Sequence, residues 1–328
     1  MARRFFLIVL LVLTALPATA GERIVFATDW KAQAEHGGFY QAVAKGFYAA
    51  RGLDVEIRQG GPGVNIPQLM GAGAIDFGMG SSSFMPLNML REGAQAKAVM
   101  AVFQKSPEIL MTHPRGDIRS LADMKGRHIL LADASIGAVF VWLKARYGFE
   151  DAQVRKYTFN MAPFLADPKA IQQGYLTSEP FMYERETGNK PQIFLYADNG
   201  YPSYATLVMV NTRVIERNPE IVQAFVEATR EGWSDYLHGD PAPGNALIQR
   251  DNPEMSAEVI TQAIEKMKAY GIVESGDTQT LGIGAMSDAR WREFFNVMRD
   301  SGVYAPDLDV RAAYTLQFIG APRNAKRN

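Results

Sequence analysis

Cysteine is absent from the sequence. Disulfides are thereby excluded, along with thiol nucleophiles, thiolate metal sites and a lipid-bearing cysteine near the N-terminus. Histidine is scarce: His36, His113, His128 and His238 are scattered and form no His-x-x-x-His pair, so no metal site is expected. Positive charge is not concentrated. The chain has 34 Lys and Arg against 35 Asp and Glu, a net charge of -1, with no basic block beyond the first residues. Nucleic acid is therefore not an expected partner. After residue 20 no apolar stretch approaches the ~20 residues of a membrane-crossing helix. Internal repeats and low-complexity segments are lacking too. No Gly-x-Ser-x-Gly elbow is present, and no Gly-Lys-Ser/Thr follows the glycines at 60–63. The chain is expected to hold no cofactor and to catalyse nothing.

What is present begins with Arg3 and Arg4, an apolar run from Phe5 to Leu16, a break at Pro17 and the small-residue series Ala18, Thr19, Ala20. This order reads as a secretory signal peptide at 1–20. The run of about 12 residues is too short to span a bilayer. The whole chain is 47% hydrophobic and 21% charged, ordinary for a globular protein, and the part after residue 20 is long enough for two cores.

Short apolar strands alternate with amphipathic helices through the first two thirds. Strands are predicted at Arg23–Thr28, Leu53–Ile57, Asp76–Met79, Ala98–Phe103 and Ile109–Thr112, with helices at Gly37–Arg51, Val64–Ala72 and Phe84–Arg91. The pattern restarts with strands at His128–Ala132, Val154–Phe159, Leu176–Ser178 and Ile193–Tyr196, and helices at Ile136–Tyr147, Pro168–Gln173 and Phe181–Thr187. Thr206–Val210 reads as a strand returning from this second unit. From Asn218, a cap residue before Pro219, the chain reads as nearly all helix. The predicted fold is α/β, with two mostly parallel sheets flanked by helices and a ligand cleft between two lobes. Lobe 1 is placed at 21–113 plus 209–320, lobe 2 at 114–208, and a frayed tail at 321–328.

Recognition is expected where strands empty into turns. In the first unit, Asp29 and Trp30 lead to Glu35, His36, Gly38 and Tyr40 at a helix start, where rings, an acid, an imidazole and exposed N–H groups converge. Packing of the rings and helix capping by His36 is the bland alternative. Gly61 belongs to a glycine-rich turn that either offers N–H donors or is a plain turn. Ser81 and Ser82 precede a helix together with Ser83, and at least one of the three hydroxyls should serve as a cap. In the second unit, Ser135 and Asn160 lie in strand-to-helix turns. Glu179 either faces the ligand or caps the helix that Pro180 opens. Tyr201 and Tyr204 are placed near the cleft rim.

Asp29-Trp30, His36-Gly37-Gly38-Phe39-Tyr40, Gly46-Phe47-Tyr48, Gly52-Leu53-Asp54-Val55, Gly73 to Gly78 and Leu121 to Gly126 together resemble the NMT1/ThiY-like substrate-binding family over most of residues 24–235. The resemblance implies the type II periplasmic-binding-protein fold. It also implies a monomeric carrier in the periplasm that hands a small molecule to an ABC permease in the inner membrane. Carriers of thiamine pyrimidine precursors belong to that family, and carriers of aliphatic sulfonates, taurine and nitrate are related to it. By the same resemblance Trp30, His36, Tyr40 and Glu179 would hold a pyrimidine ring. Fungal relatives instead make the pyrimidine with a cysteine-rich, iron-dependent site, which a chain without cysteine does not match.

Overall fold

The apolar runs pair into two five-stranded sheets in a computed structural model that describes residues 21–320. The signal-peptide reading of 1–20 and the tail at 321–328 lie outside the described residues. The strands, in chain order, are β1 (Glu22–Ala27), β2 (Leu53–Arg58), β3 (Phe77–Ser82), β4 (Ala96–Phe103), β5 (Glu108–Thr112), β6 (Ile129–Leu131), β7 (Val154–Lys156), β8 (Ile171–Tyr175), β9 (Gln192–Leu195) and β10 (Ala205–Asn211). The first sheet has the order β2-β1-β3-β10-β4 and the second β7-β6-β8-β5-β9.

Both sheets are mixed. β1 runs parallel to β2 and β3, whereas β10 is antiparallel to β3 and β4. β6 runs parallel to β7 and β8, whereas β5 is antiparallel to β8 and β9. Each sheet therefore holds one reversed strand among four that share a direction. Burial follows position. Every residue of β10 in the sheet interior is buried, while the edge strand β2 alternates, as expected for strands covered on both faces and for half-covered edges.

Sheet membership corrects the expected boundaries. The strand at 109–112 was placed in the first unit, but β5 pairs only within the second sheet. β10 belongs to the first sheet rather than the second. The chain thus crosses between Phe103 and Glu108 and again between Leu195 and Ala205. A short apolar run carries no sign of which sheet it joins. Residues 168–173 were read as helix; the structure instead places β8 at Ile171–Tyr175.

The helices Gly37–Ala44 and Pro219–His238 pack closely against each other beside the first sheet. A Cβ on Gly38 would lie 2.1 Å from the Trp233 ring, and one on Gly232 would lie 2.2 Å from the Gly38 carbonyl oxygen. Only glycine permits that approach. Asn218 precedes the long helix, but its side chain makes no capping bond. Ser256 and Ser287 do cap their helices, accepting from the Val259 and Arg290 amides. Arg290 joins the two crossings: Nε donates to the Pro202 carbonyl at 3.0 Å and Nη2 to the Gln104 carbonyl at 2.6 Å. Its guanidinium also lies over the Tyr204 ring at 5.0 Å. No helix among the described residues is long and apolar enough to cross a membrane.

Candidate functional site

Strand direction brings the site together. The carboxyl ends of β1, β3, β6, β7 and β8 and the amino ends of the reversed β5 and β10 meet at one cavity of about 260 Å³. Open α/β sheets bind ligands at such strand ends. Asp29 and Trp30 follow β1, and Ser81 and Ser82 close β3. Ala132 and Ser135 follow β6, and Phe159 follows β7. Gln173, Gly174 and Tyr175 end β8, while Glu108 opens β5 and Thr206 lies at the start of β10.

Aromatic faces cross the cleft. The Trp30 and Phe159 rings, one from each side, have centroids 4.9 Å apart at 50°. Tyr157 lies 5.3 Å behind Phe159. Phe159 is 49% exposed, unusual for a large apolar ring. Its backbone φ is +61°, and that of Thr206 is +48°; no other non-glycine residue described has a positive φ. Such conformations are disfavoured for any side chain and for β-branched residues most of all. Both strained residues line this one cavity, and strain of this kind collects at ligand clamps.

Four carboxylates complete the lining: Asp29, Glu35, Glu108 and Glu179. Lys and Arg are absent from it among the described residues. Burial raises the Glu35 carboxyl above its ordinary value, against a hydrogen bond donated by Thr177 Oγ1 from the second-sheet side. Burial also raises Glu108, whose Oε2 accepts from Ser106 Oγ at 3.1 Å. Burial raises Glu179 as well, although Oε2 accepts from the Tyr175 amide at 2.7 Å and Oε1 from the Tyr157 hydroxyl at 3.0 Å. A Cβ on Gly174 would sit 3.1 Å from that of Glu179, so the missing side chain gives the carboxylate its room. Tyr175 stands among all four acids. Burial first, then the charges of Asp29, Glu108, Glu35 and Glu179, hold its phenol protonated. His36 is 1% exposed, with Nε2 3.7 Å from Asp29 Oδ1 and Nδ1 without a partner among the described residues. No group of three or more His, Asp or Glu side chains among the described residues is arranged to hold a metal ion.

Of the candidates read from the sequence, the cavity brings together Asp29, Trp30, Glu35, His36, Ser81, Ser82, Ser135 and Glu179. The third hydroxyl, on Ser83, accepts from the Tyr204 amide at 3.0 Å and makes no helix cap. Glu179 lines the cavity and does not cap the helix Glu179–Thr187: Ser178 precedes that helix, and the Glu179 carboxylate turns to Tyr175 and Tyr157. The other candidates do not line it. Gly38 packs on Trp233. Tyr40 is buried, and its hydroxyl donates to Asp251 at 3.2 Å. Gly61 sits in a plain turn, its carbonyl accepting from the Val64 amide at 3.0 Å. Asn160 caps its own turn through the Ala162 amide at 2.9 Å. Tyr201 is buried 5.1 Å from the Trp142 ring, and the Tyr204 hydroxyl donates to Asp277. Phe159, Gln173, Tyr175, Tyr196, Glu108 and Thr206 escaped the sequence reading. A usable signal existed only for Tyr196, which closes an apolar run.

Two α/β sheets with strand ends converging on a cavity define the fold: it is the periplasmic-binding-protein fold. The chain belongs to the NMT1/THI5 like family, whose model matches residues 33–242. It is 22% identical to the riboflavin-binding protein RibY of Chloroflexus aurantiacus, over 93% of this chain and 90% of that one. It is 23% identical to the formylaminopyrimidine-binding protein of Halalkalibacterium halodurans, over 85% and 86%. Fungal 4-amino-5-hydroxymethyl-2-methylpyrimidine phosphate synthases are also among its relatives. Among solved structures, the periplasmic aliphatic sulphonate binding protein SsuA of Escherichia coli superposes with a TM-score of 0.67 at 13% identity, covering 94% of each chain.

Proposed function

We propose that this protein is a periplasmic solute-binding protein that closes over a small heteroaromatic molecule, of the thiamine-pyrimidine kind, and delivers it to an ABC permease. The observation that carries the reading is the cavity itself: both sheets wall it, and an aromatic ring from each side meets across its mouth. Each sheet with its helices acts as a lobe, roughly 21–103 with 205–320 and 108–195, and the two crossings are the hinge. Residues 1–20 direct export and are removed. The mature protein acts as a monomer, and the ligand leaves unchanged. Relatives that bind riboflavin or formylaminopyrimidine support a flat ring as the guest. Stacking and a few directional hydrogen bonds place the affinity at about micromolar to nanomolar, roughly -8 to -12 kcal/mol.

Calorimetry with a panel of aminopyrimidines and riboflavin tests the reading, with the ligand afterwards recovered and weighed against the amount added. Tight binding with full recovery of an intact ring is expected. Silence from every ring compound would remove the proposed ligand class, and conversion of the guest to another compound would remove the carrier role.

A further inference from the structure

The cavity is electrically one-sided. Asp29, Glu35, Glu108 and Glu179 line it, no Lys or Arg does, and His36 is the sole basic side chain in its wall. Several acceptor positions remain open. Asp29 receives no hydrogen bond from any described residue, and His36 Nε2 at 3.7 Å is too far to donate one. Thr177 occupies one oxygen of Glu35, and Ser106 occupies one of Glu108. Glu179 accepts one bond at each oxygen, from Tyr157 and Tyr175.

A second observation is independent of the acids. His36 and Tyr196 are each 1% exposed and line the cavity, yet His36 Nδ1 and the Tyr196 hydroxyl have no partner among the described residues. Buried polar atoms are rarely left orphaned, and a ligand that supplies the missing bonds accounts for them. An anion finds no Lys or Arg to pair with among the described lining residues. It would bring a negative charge beside carboxylates in a site with reduced solvent screening, the arrangement that rejects a wrong partner by like-charge contact.

We propose that the guest of this cleft is a flat heteroaromatic that presents N–H donors or a positive charge and carries no anionic group. Phosphate esters, sulfonates and carboxylates of otherwise suitable shape are refused. Trp30 and Phe159 hold the ring faces, Asp29, Glu35 and Glu108 accept its donors, and His36 and Tyr196 complete the edge. The inference rests on the carrier reading above and adds the sign of charge that this carrier selects.

Calorimetry on the full chain at low ionic strength tests it with 4-amino-5-hydroxymethyl-2-methylpyrimidine, the phosphate monoester of that compound, and propanesulfonate. The free alcohol is expected to bind at least about 100-fold more tightly than the ester, with propanesulfonate silent, since a site of buried polar groups discriminates on this scale. Asp29→Asn should weaken the alcohol about 10-fold while narrowing the gap to the ester, with an unchanged melting temperature showing that the variant folds. Equal or tighter binding of the ester or the sulfonate would overturn the charge assignment and leave the carrier role standing. Failure of all three compounds together with riboflavin would overturn the charge assignment and the heteroaromatic ligand class together.

Discussion

Glu35 shows how much of the site resides in single side chains. Its carboxyl is pushed above the ordinary 4.5 by burial, so the folded protein holds that proton more tightly than the unfolded chain. The resulting stability is fully present below about pH 4.5 and is lost as pH rises through the folded value. Glu35→Gln keeps an acceptor for Thr177 and cannot ionise. At pH 7 the variant should melt about 2–5 °C higher than the parent, and the difference should vanish on acidification. Parallel melting curves at all pH values would show that Glu35 is not desolvated. Phe159 offers the opposite test. Phe159→Ala and Phe159→Gly both delete the ring and should weaken ligand binding about 10-fold, the scale of one aromatic contact. Gly accepts a φ of +61° whereas Ala does not, so the Gly variant should be about 1 kcal/mol more stable than the Ala variant by denaturant titration. Equal stabilities would argue against backbone strain. At this scale the sequence was half legible. Asp29, Trp30 and His36 stand where a strand empties into a helix start, which is visible in the residue pattern. Tyr40 lies one turn beyond His36 and looks the same on paper, but its hydroxyl turns to Asp251. Nothing in the residues around Phe159 announces a positive φ.

Elements were read more faithfully where their period is long. The helices opening near Pro219, Ser256 and Ser287 stand as expected because three or more turns of apolar spacing define them. β8 was mistaken because Ile171, Gln172, Gln173, Gly174 and Tyr175 show neither alternation nor an apolar run, and its burial comes from its neighbours β5 and β6. That error hid Gln173 and Tyr175 from view. Gly37 and Gly38 open the first helix and are both packing devices, against the Tyr236 and Trp233 rings. Gly38→Ala should cost about 3 kcal/mol by overpacking against Trp233, while Gly61→Ala, with nothing within 4 Å of the new methyl, should change stability by less than about 0.5 kcal/mol. Chemical denaturation of the two variants separates these roles, and similar costs would undo the assignment.

At the scale of the whole molecule, two short crossings join the sheets, and one guanidinium ties them together. Arg290→Ala removes donors to both Pro202 and Gln104 and should lower stability by about 2 kcal/mol. The ligand-free variant should also scatter X-rays as a larger particle; an unchanged radius would mean that Arg290 does not govern closure. The discontinuous two-lobe plan was legible from the restarting strand pattern, but the crossing points were not, since they depend on which sheet β5 and β10 join. Their membership has a mechanical corollary. Glu108 and Thr206 sit within a residue or two of the crossings, whereas Phe159 follows β7, three strand spacings or roughly 14 Å from β5. A rotation about the crossings therefore barely moves the former and swings the latter widely, as in a nutcracker gripped near its pivot. Capture would then be sequential: a visitor is first greeted near the axle by Glu108 and Thr206, and only afterwards do the distant rings fold down over it.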